Sequence, residues 1–343
     1  MRKKVVVIIC IVVGLCCLFL AFYDFFQKRL DNNVSVPRVI IVELSGIRNS
    51  ESIDDAMRQY FPIFFNEIVP KGTLYTNVYD QNLLFHMAPA QAINTGKIHS
   101  FFSEEAVFPS ITQYIRSKYK LPQEKVWLFG HWYENTMTVQ TSLLGKNTFP
   151  SVFSVEDFEI PSFLHNILSN EEIAFFDSMF GIKEERISNW TFWDSVEGPK
   201  FNIFKKILNF YHPVFATYVI GAPDAAHYGT FGRYALALRD SDRIIYELRE
   251  LLLSDEYYKG KTYLFITPDH GRNEYYMNHN QDGKMRNTWL YVYGPGVLAG
   301  KHVDRLIHHV DIFSTAAYIM GVDTHATDGE VLYDCFNTSV KDD

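Results

Sequence analysis

The sequence predicts a three-layer α/β sandwich with a mostly parallel central sheet, preceded by one transmembrane helix. Three observations carry that prediction. Short apolar, β-branched runs alternate with helical stretches from residue 38 to about residue 320, the pattern of strands and helices packed around one sheet. Several of these runs stop abruptly at Gly, Asp or His, as strands do where an open sheet holds its ligands. An apolar stretch over residues 5–23, with no charge before Asp24, follows Arg2-Lys3-Lys4.

Taken in order, residues 5–23 are long enough as a helix to cross a bilayer core of about 30 Å. The preceding cations favour an N-terminus kept in the cytoplasm. With no small-x-small cleavage site after the run, an uncleaved anchor is favoured over a cleaved signal peptide, placing the bulk of the chain outside. A polar linker over 24–37 follows, broken by Asp31-Asn32-Asn33 and Pro37. The run 38–44 is a buried strand, and a helix is expected from Ser50 or Ser52 with Asp54 and Asp55 in its first turn. Further strands are expected at 75–79, 126–130, 213–220, 263–266 and 289–293. Helices are expected at 89–95, 110–120, 204–210, 233–253 and 312–320, the fourth with Leu236, Leu238, Ile244, Ile245, Leu248 and Leu252 on its apolar face. Gly96 ends the first of these, and Asp311 caps the last. Residues 131–200, with a helical stretch over 163–180, carry no legible motif and are taken as a cap or insertion. The domain spans 38–335, with a tail over 336–343.

Composition narrows the function. The 343 residues are 47% hydrophobic and 21% charged, as in globular proteins. A net charge of −8 without a clustered basic face argues against nucleic acid as a partner. Three of the four cysteines lie in the apolar N-terminal run, leaving Cys335 alone in the domain, so no disulfide staples it.

The chemistry gathers at strand ends. The run 263–266 leads into Thr267-Pro268-Asp269-His270-Gly271-Arg272, an adjacent carboxylate and imidazole suited to zinc or a similar divalent ion. Alone, an Asp-His-Gly is equally a capped, strand-ending turn. The strand ending at Ile220 leads into a second pair, Asp224 and His227, and His279 stands in the polar loop before the next strand. Two such pairs at separate strand ends favour a metal site over loop histidines.

Asp224-Ala225-Ala226-His227, the Pro268-Asp269-His270-Gly271-Arg272 run, and Gly294-Pro295-Gly296 followed by His309-Val310-Asp311 resemble the alkaline phosphatase superfamily. That group includes phosphatases, phosphodiesterases, nucleotide pyrophosphatases and sulfatase-like hydrolases. The resemblance spans about 38–325 and is specific in its C-terminal half. It implies two adjacent ions, usually zinc. Asp224, His227 and His279 would hold one; Asp269 and His270 would share the other with an N-terminal aspartate and the nucleophile.

Those two last positions depart from the family. In Glu43-Leu44-Ser45-Gly46-Ile47-Arg48, Ser45 stands where the aspartate is expected. Glu43, two residues earlier on the same strand face, substitutes only if the strand end shifts. In the run 84–96, His86 stands where a Ser or Thr nucleophile is expected. The second ion therefore loses a charged ligand, and alkoxide attack from position 86 is excluded. What remains is a single ion at Asp224, His227 and His279, or His86 as a ligand or covalent nucleophile, or binding without turnover. The expected function is a membrane-anchored, metal-dependent hydrolase of phosphate or sulfate esters, small or carried on a glycan or lipid. The alternative is a non-catalytic relative that binds a ligand or partner.

Overall fold

The structure, a computed structural model, describes residues 36–82, 87–98, 108–130, 162–180, 190–225, 229–273, 283–324 and 327–337. The expected anchor, the linker up to residue 35, most of the cap region, the tail beyond residue 337, and His86, His227 and His279 lie outside the described residues. Among the described residues, no helix is long and apolar enough to cross a membrane.

An eight-stranded sheet organises the domain: β1 (Arg38–Leu44), β2 (Thr73–Tyr79), β3 (Val126–Phe129), β4 (Phe215–Ile220), β5 (Thr262–Pro268), β6 (Asn287–Tyr293), β7 (Lys301–Val303) and β8 (Ile307–His308). The order is β3-β4-β1-β5-β6-β2-β7, with β8 also on β2. β6 runs antiparallel to both its neighbours, whereas the other pairings are parallel. Seven strands and the start of β6 therefore present their loops along one edge. β1, β4 and β5 also end level, with Leu44 opposite Ile220 on one side and Pro268 on the other.

Helices flank the sheet: α1 (Met87–Thr95), α2 (Ile111–Tyr119), α3 (Asn170–Phe180), α4 (Trp190–Tyr211), α5 (Ala222–Ala225), α6 (Phe231–Ser254) and α7 (His309–Ile319). The period of two along β1 sends Ile40, Val42 and Leu44 into a core shared with Phe204 and Leu208 of α4 and Leu238 and Leu248 of α6. Val39 and Ile41, pointing the other way, are equally buried. On β4, Thr217 donates to Asn94 of α1 at 3.0 Å, and α1 packs on α7. Burial on both faces explains why these strands read as continuous apolar runs. Each such side chain contributes about 1.5–3 kcal/mol by leaving water.

Several expectations are corrected. The helix expected near Ser50 is a single 3-10 turn, Asn49–Glu51, because Asp55 turns its carboxylate onto the amides of Met57 and Gln59 instead of a helix start. Leu236, counted on the apolar face of α6, is 57% exposed; Tyr234, Leu238, Ser241 and Ile245 make the buried stripe. Asp311 is not the cap of α7: the helix starts at His309, His308 is its cap, and Asp311 closes a capping box by accepting the His308 amide at 2.8 Å. The short strands β7 and β8 carry too few residues for a periodic signal.

Gly96 ends α1 at φ +69°, and a Cβ there would lie 2.3 Å from the Phe313 ring of α7. Gly300, at φ +65°, has open space around it, the nearest atom being 3.8 Å away. Gly96→Ala is expected to lose about 2–4 kcal/mol, strain plus overpacking, and Gly300→Ala about 1–2 kcal/mol, in denaturant unfolding. Burial pushes the Cys335 thiol up to about 12, so little thiolate exists near neutrality. At about pH 8 the folded chain should resist alkylation at Cys335 while the unfolded chain reacts, which peptide mass spectrometry checks.

Candidate active site

The β1 strand turns at Ser45-Gly46, and the turn is sewn to both neighbouring strands. Ser45 donates its amide to Ile220 (2.9 Å), Asp269 donates to Leu44 (3.1 Å), and Ile47 donates to the His270 carbonyl (3.0 Å). Gly46 adopts φ +68°, and a Cβ on it would strike Asp224 Oδ1 at 2.5 Å and Arg272 Nε at 3.0 Å. Only glycine fits a left-handed turn this closely covered.

Asp269 is fixed by this turn. Its Oδ1 accepts the Gly46 amide at 2.9 Å and the His270 amide at 2.7 Å, and its Oδ2 accepts the Ser45 hydroxyl at 3.3 Å. His270 Nδ1 lies 2.7 Å from the Gly271 carbonyl. A carbonyl oxygen only accepts, so Nδ1 carries a proton; in the neutral form of the ring the lone pair is then at Nε2. That nitrogen stands 3.6 Å from Asp269 Oδ2, and both side chains are 1% exposed. A metal-binding histidine is commonly oriented by its other nitrogen in this way, and an oxygen beside a nitrogen suits a zinc-like cation. The pair fits an ion, but its third neighbour is the neutral hydroxyl of Ser45.

Asp224 is reached from α5, directly after β4. Arg272, whose side chain is 0% exposed, donates to the Asp224 carbonyl and to Oδ1 at 3.2 Å. Its guanidinium also lies 5.0 Å from the centre of the Tyr234 ring, whose hydroxyl accepts the Arg48 amide at 3.0 Å. Arg48 in turn grips Glu51 through both its Nε (2.5 Å) and Nη2 and donates to the Asn273 carbonyl. Burial lifts the Tyr234 phenol well above its ordinary range, so it stays protonated. The result is a low-dielectric corner in which each guanidinium faces a carboxylate, the arrangement a buried charge requires.

The structure thus brings Ser45, Asp224, Asp269 and His270 together around Gly46. Glu43 sits in β1 at 1% exposure, in register with Val219 and Thr267. At this strand end Asp269 donates to Leu44 and accepts from Ser45 and Gly46. Among the described residues, no group of three or more His, Cys, Asp or Glu is placed to hold a metal.

Sequence reasoning missed three groups. Arg272 lies inside the quoted motif, but nothing in the sequence indicates that it reaches Asp224. His309 and Asp80 stand fully buried at the same edge, Nδ1 to Oδ1 3.7 Å, with His309 Nε2 against the Pro268 carbonyl at 3.0 Å; they are 229 residues apart. Glu197 and Lys200 of α4 meet the loop after β4, and their i, i+3 spacing within an apolar helix is the one sequence signal they offer.

No family sequence model and no curated protein match the chain. Solved structures do. A phosphonate monoester hydrolase from Silicibacter pomeroyi superposes with a TM-score of 0.56 at 13% identity, covering 86% of this chain and 76% of its own. A 2-O GAG sulfatase gives 0.60 at 12%, covering 88% and 74%. An alkaline phosphatase superfamily protein from Vibrio parahaemolyticus gives 0.52 at 13%, covering 85% and 67%. The mostly parallel sheet, the flanking helices and these superpositions agree: this chain has an alkaline-phosphatase-like α/β fold.

Proposed function

We propose that the chain is a membrane-anchored, metal-dependent hydrolase of phosphate or sulfate esters, with its domain on the extracytoplasmic side. The observation that carries this reading is the convergence on Gly46. One small turn brings Asp224, from the end of β4, and the Asp269-His270 pair, from the end of β5, against the end of β1. The structural neighbours include a phosphonate monoester hydrolase and a sulfatase, which supports an ester of this class. The substrate is a small ester, or one carried on a glycan or lipid and met at the membrane surface.

Asp224, with His227 and His279, would hold a zinc-like ion; Asp269 and His270 face the second position, where Ser45 supplies no charge. When bound, such an ion supplies Lewis-acid stabilisation of the ester oxygens and acidifies a nucleophile. The chain's own residues do the holding. Gly46 and His270 fix Asp269 through their amides, the Gly271 carbonyl sets the His270 tautomer, and Arg272 orients the Asp224 carboxylate. The second reading, binding without turnover, is favoured by one observation: the Ser45 hydroxyl occupies the side of Asp269 where the family pattern expects a carboxylate.

Metal analysis of the full chain is expected to find about one zinc-class ion per chain, lost in Asp224→Asn and raised to about two in Ser45→Asp, which restores a charged ligand. Absence of metal after gentle purification sinks the proposal. Turnover of simple aryl phosphates is expected to be slow and to vanish in His86→Ala; brisk turnover that survives this substitution excludes a role for His86 in the chemistry.

A further inference from the structure

We infer that Glu197 of α4 is a positioning residue that sets the aim of Asp224, with Lys200 offsetting its buried charge. The inference rests on the metal site proposed above and deepens it. The two form a buried ion pair, Lys200 Nζ to Glu197 Oε1 2.5 Å, with side chains 0% and 5% exposed. Lys200 also donates to the Val219 carbonyl of β4 at 2.6 Å and lies 5.2 Å from the centre of the Tyr218 ring. Glu197 Oε2 accepts two consecutive amides, Gly221 at 2.9 Å and Ala222 at 3.0 Å.

Those two residues are the elbow between β4 and Asp224, and Asp224 itself donates back to the Gly221 carbonyl at 3.1 Å. The α5 segment is a single turn of four residues, too short to hold its own shape, because a first turn fixes several dihedrals for one hydrogen bond. Its geometry is instead imposed from α4: Lys200 holds the last part of β4 and Glu197 holds the next two amides. Burying both charges is costly, and an apolar pair of similar volume would pack as well. What the apolar pair lacks is an acceptor for the elbow. Arg272 grips Asp224 from the other side, so the carboxylate is held between two independent supports. The segment taken from sequence as a cap thereby reaches into the site.

The test is zinc affinity of the full chain, by competition with a chromophoric chelator, alongside thermal unfolding. Glu197→Gln/Lys200→Met keeps a neutral acceptor at the elbow; Glu197→Leu/Lys200→Met removes it. The Gln variant is expected to bind zinc as the wild type does. The Leu variant is expected to bind it about 10–100-fold more weakly, as for lost outer supports of metal ligands, at a similar Tm. Equal affinity in all three proteins overturns the inference, and so does a loss shared equally by both variants. If the Leu variant fails to fold, Glu197→Asp, which draws the acceptor back by one methylene, is expected to show the weakening, and wild-type affinity there overturns the inference. A wild-type chain that takes up no zinc sinks the proposed function itself, and this inference with it, an outcome seen in the wild-type arm alone.

Discussion

The close approach at Gly46 is the constraint on which the site depends. β1 lies between β4 and β5 and ends level with both, so the residues that follow the three strands must share one small volume. A side chain at position 46 would occupy the space of the Asp224 carboxylate. Its absence lets the turn bring its amide to Asp269 and its bare Cα face to Asp224. Carboxylates from the ends of strands on opposite sides of β1 thereby meet the same turn. Buried carboxylates gathered at one turn need something positive or hydrogen-bonding beside each.

The chain supplies that compensation unevenly. Around Asp224 it is a buried guanidinium backed by an aromatic ring and, through the elbow, a carboxylate–ammonium pair on α4. Around Asp269 it is two amides and a hydroxyl, all neutral. The asymmetry reflects the residues themselves: an arginine stands beside Asp224, and a serine at position 45 donates to Asp269.

Much of the scaffold was legible because its elements obey simple periods. Strands buried on both faces show unbroken β-branched runs, and α6 shows its helical stripe with only Leu236 misassigned, because apolarity does not tell which side of a helix meets the sheet. The starts of elements were less legible. At Ser50 and at Asp311, short polar side chains had two competing backbone partners, and the choice between helix cap, turn and capping box depends on neighbours brought in by the fold. The strand-end pairs Asp224 and Asp269-His270 could be picked out because a charged residue directly after an apolar strand is unusual. Arg272, Glu197, Lys200 and the Asp80–His309 pair could not, since a charged residue in a helix or loop looks the same whether it faces water or a buried partner.

The sequence by itself determined the α/β class, the strands that end at the site, and the residue types offered there, including Ser45 and His86. These are local properties, set by burial period and by which side chain follows which strand. The tertiary structure decided which of them meet. It placed Asp224 against Gly46 and Arg272, set the proton of His270 on Nδ1, and recruited a helix from the supposed cap to hold the β4 elbow. Each of these depends on strand register and on the shielding of charge from water. Neither exists until residues tens to hundreds of positions apart are packed together.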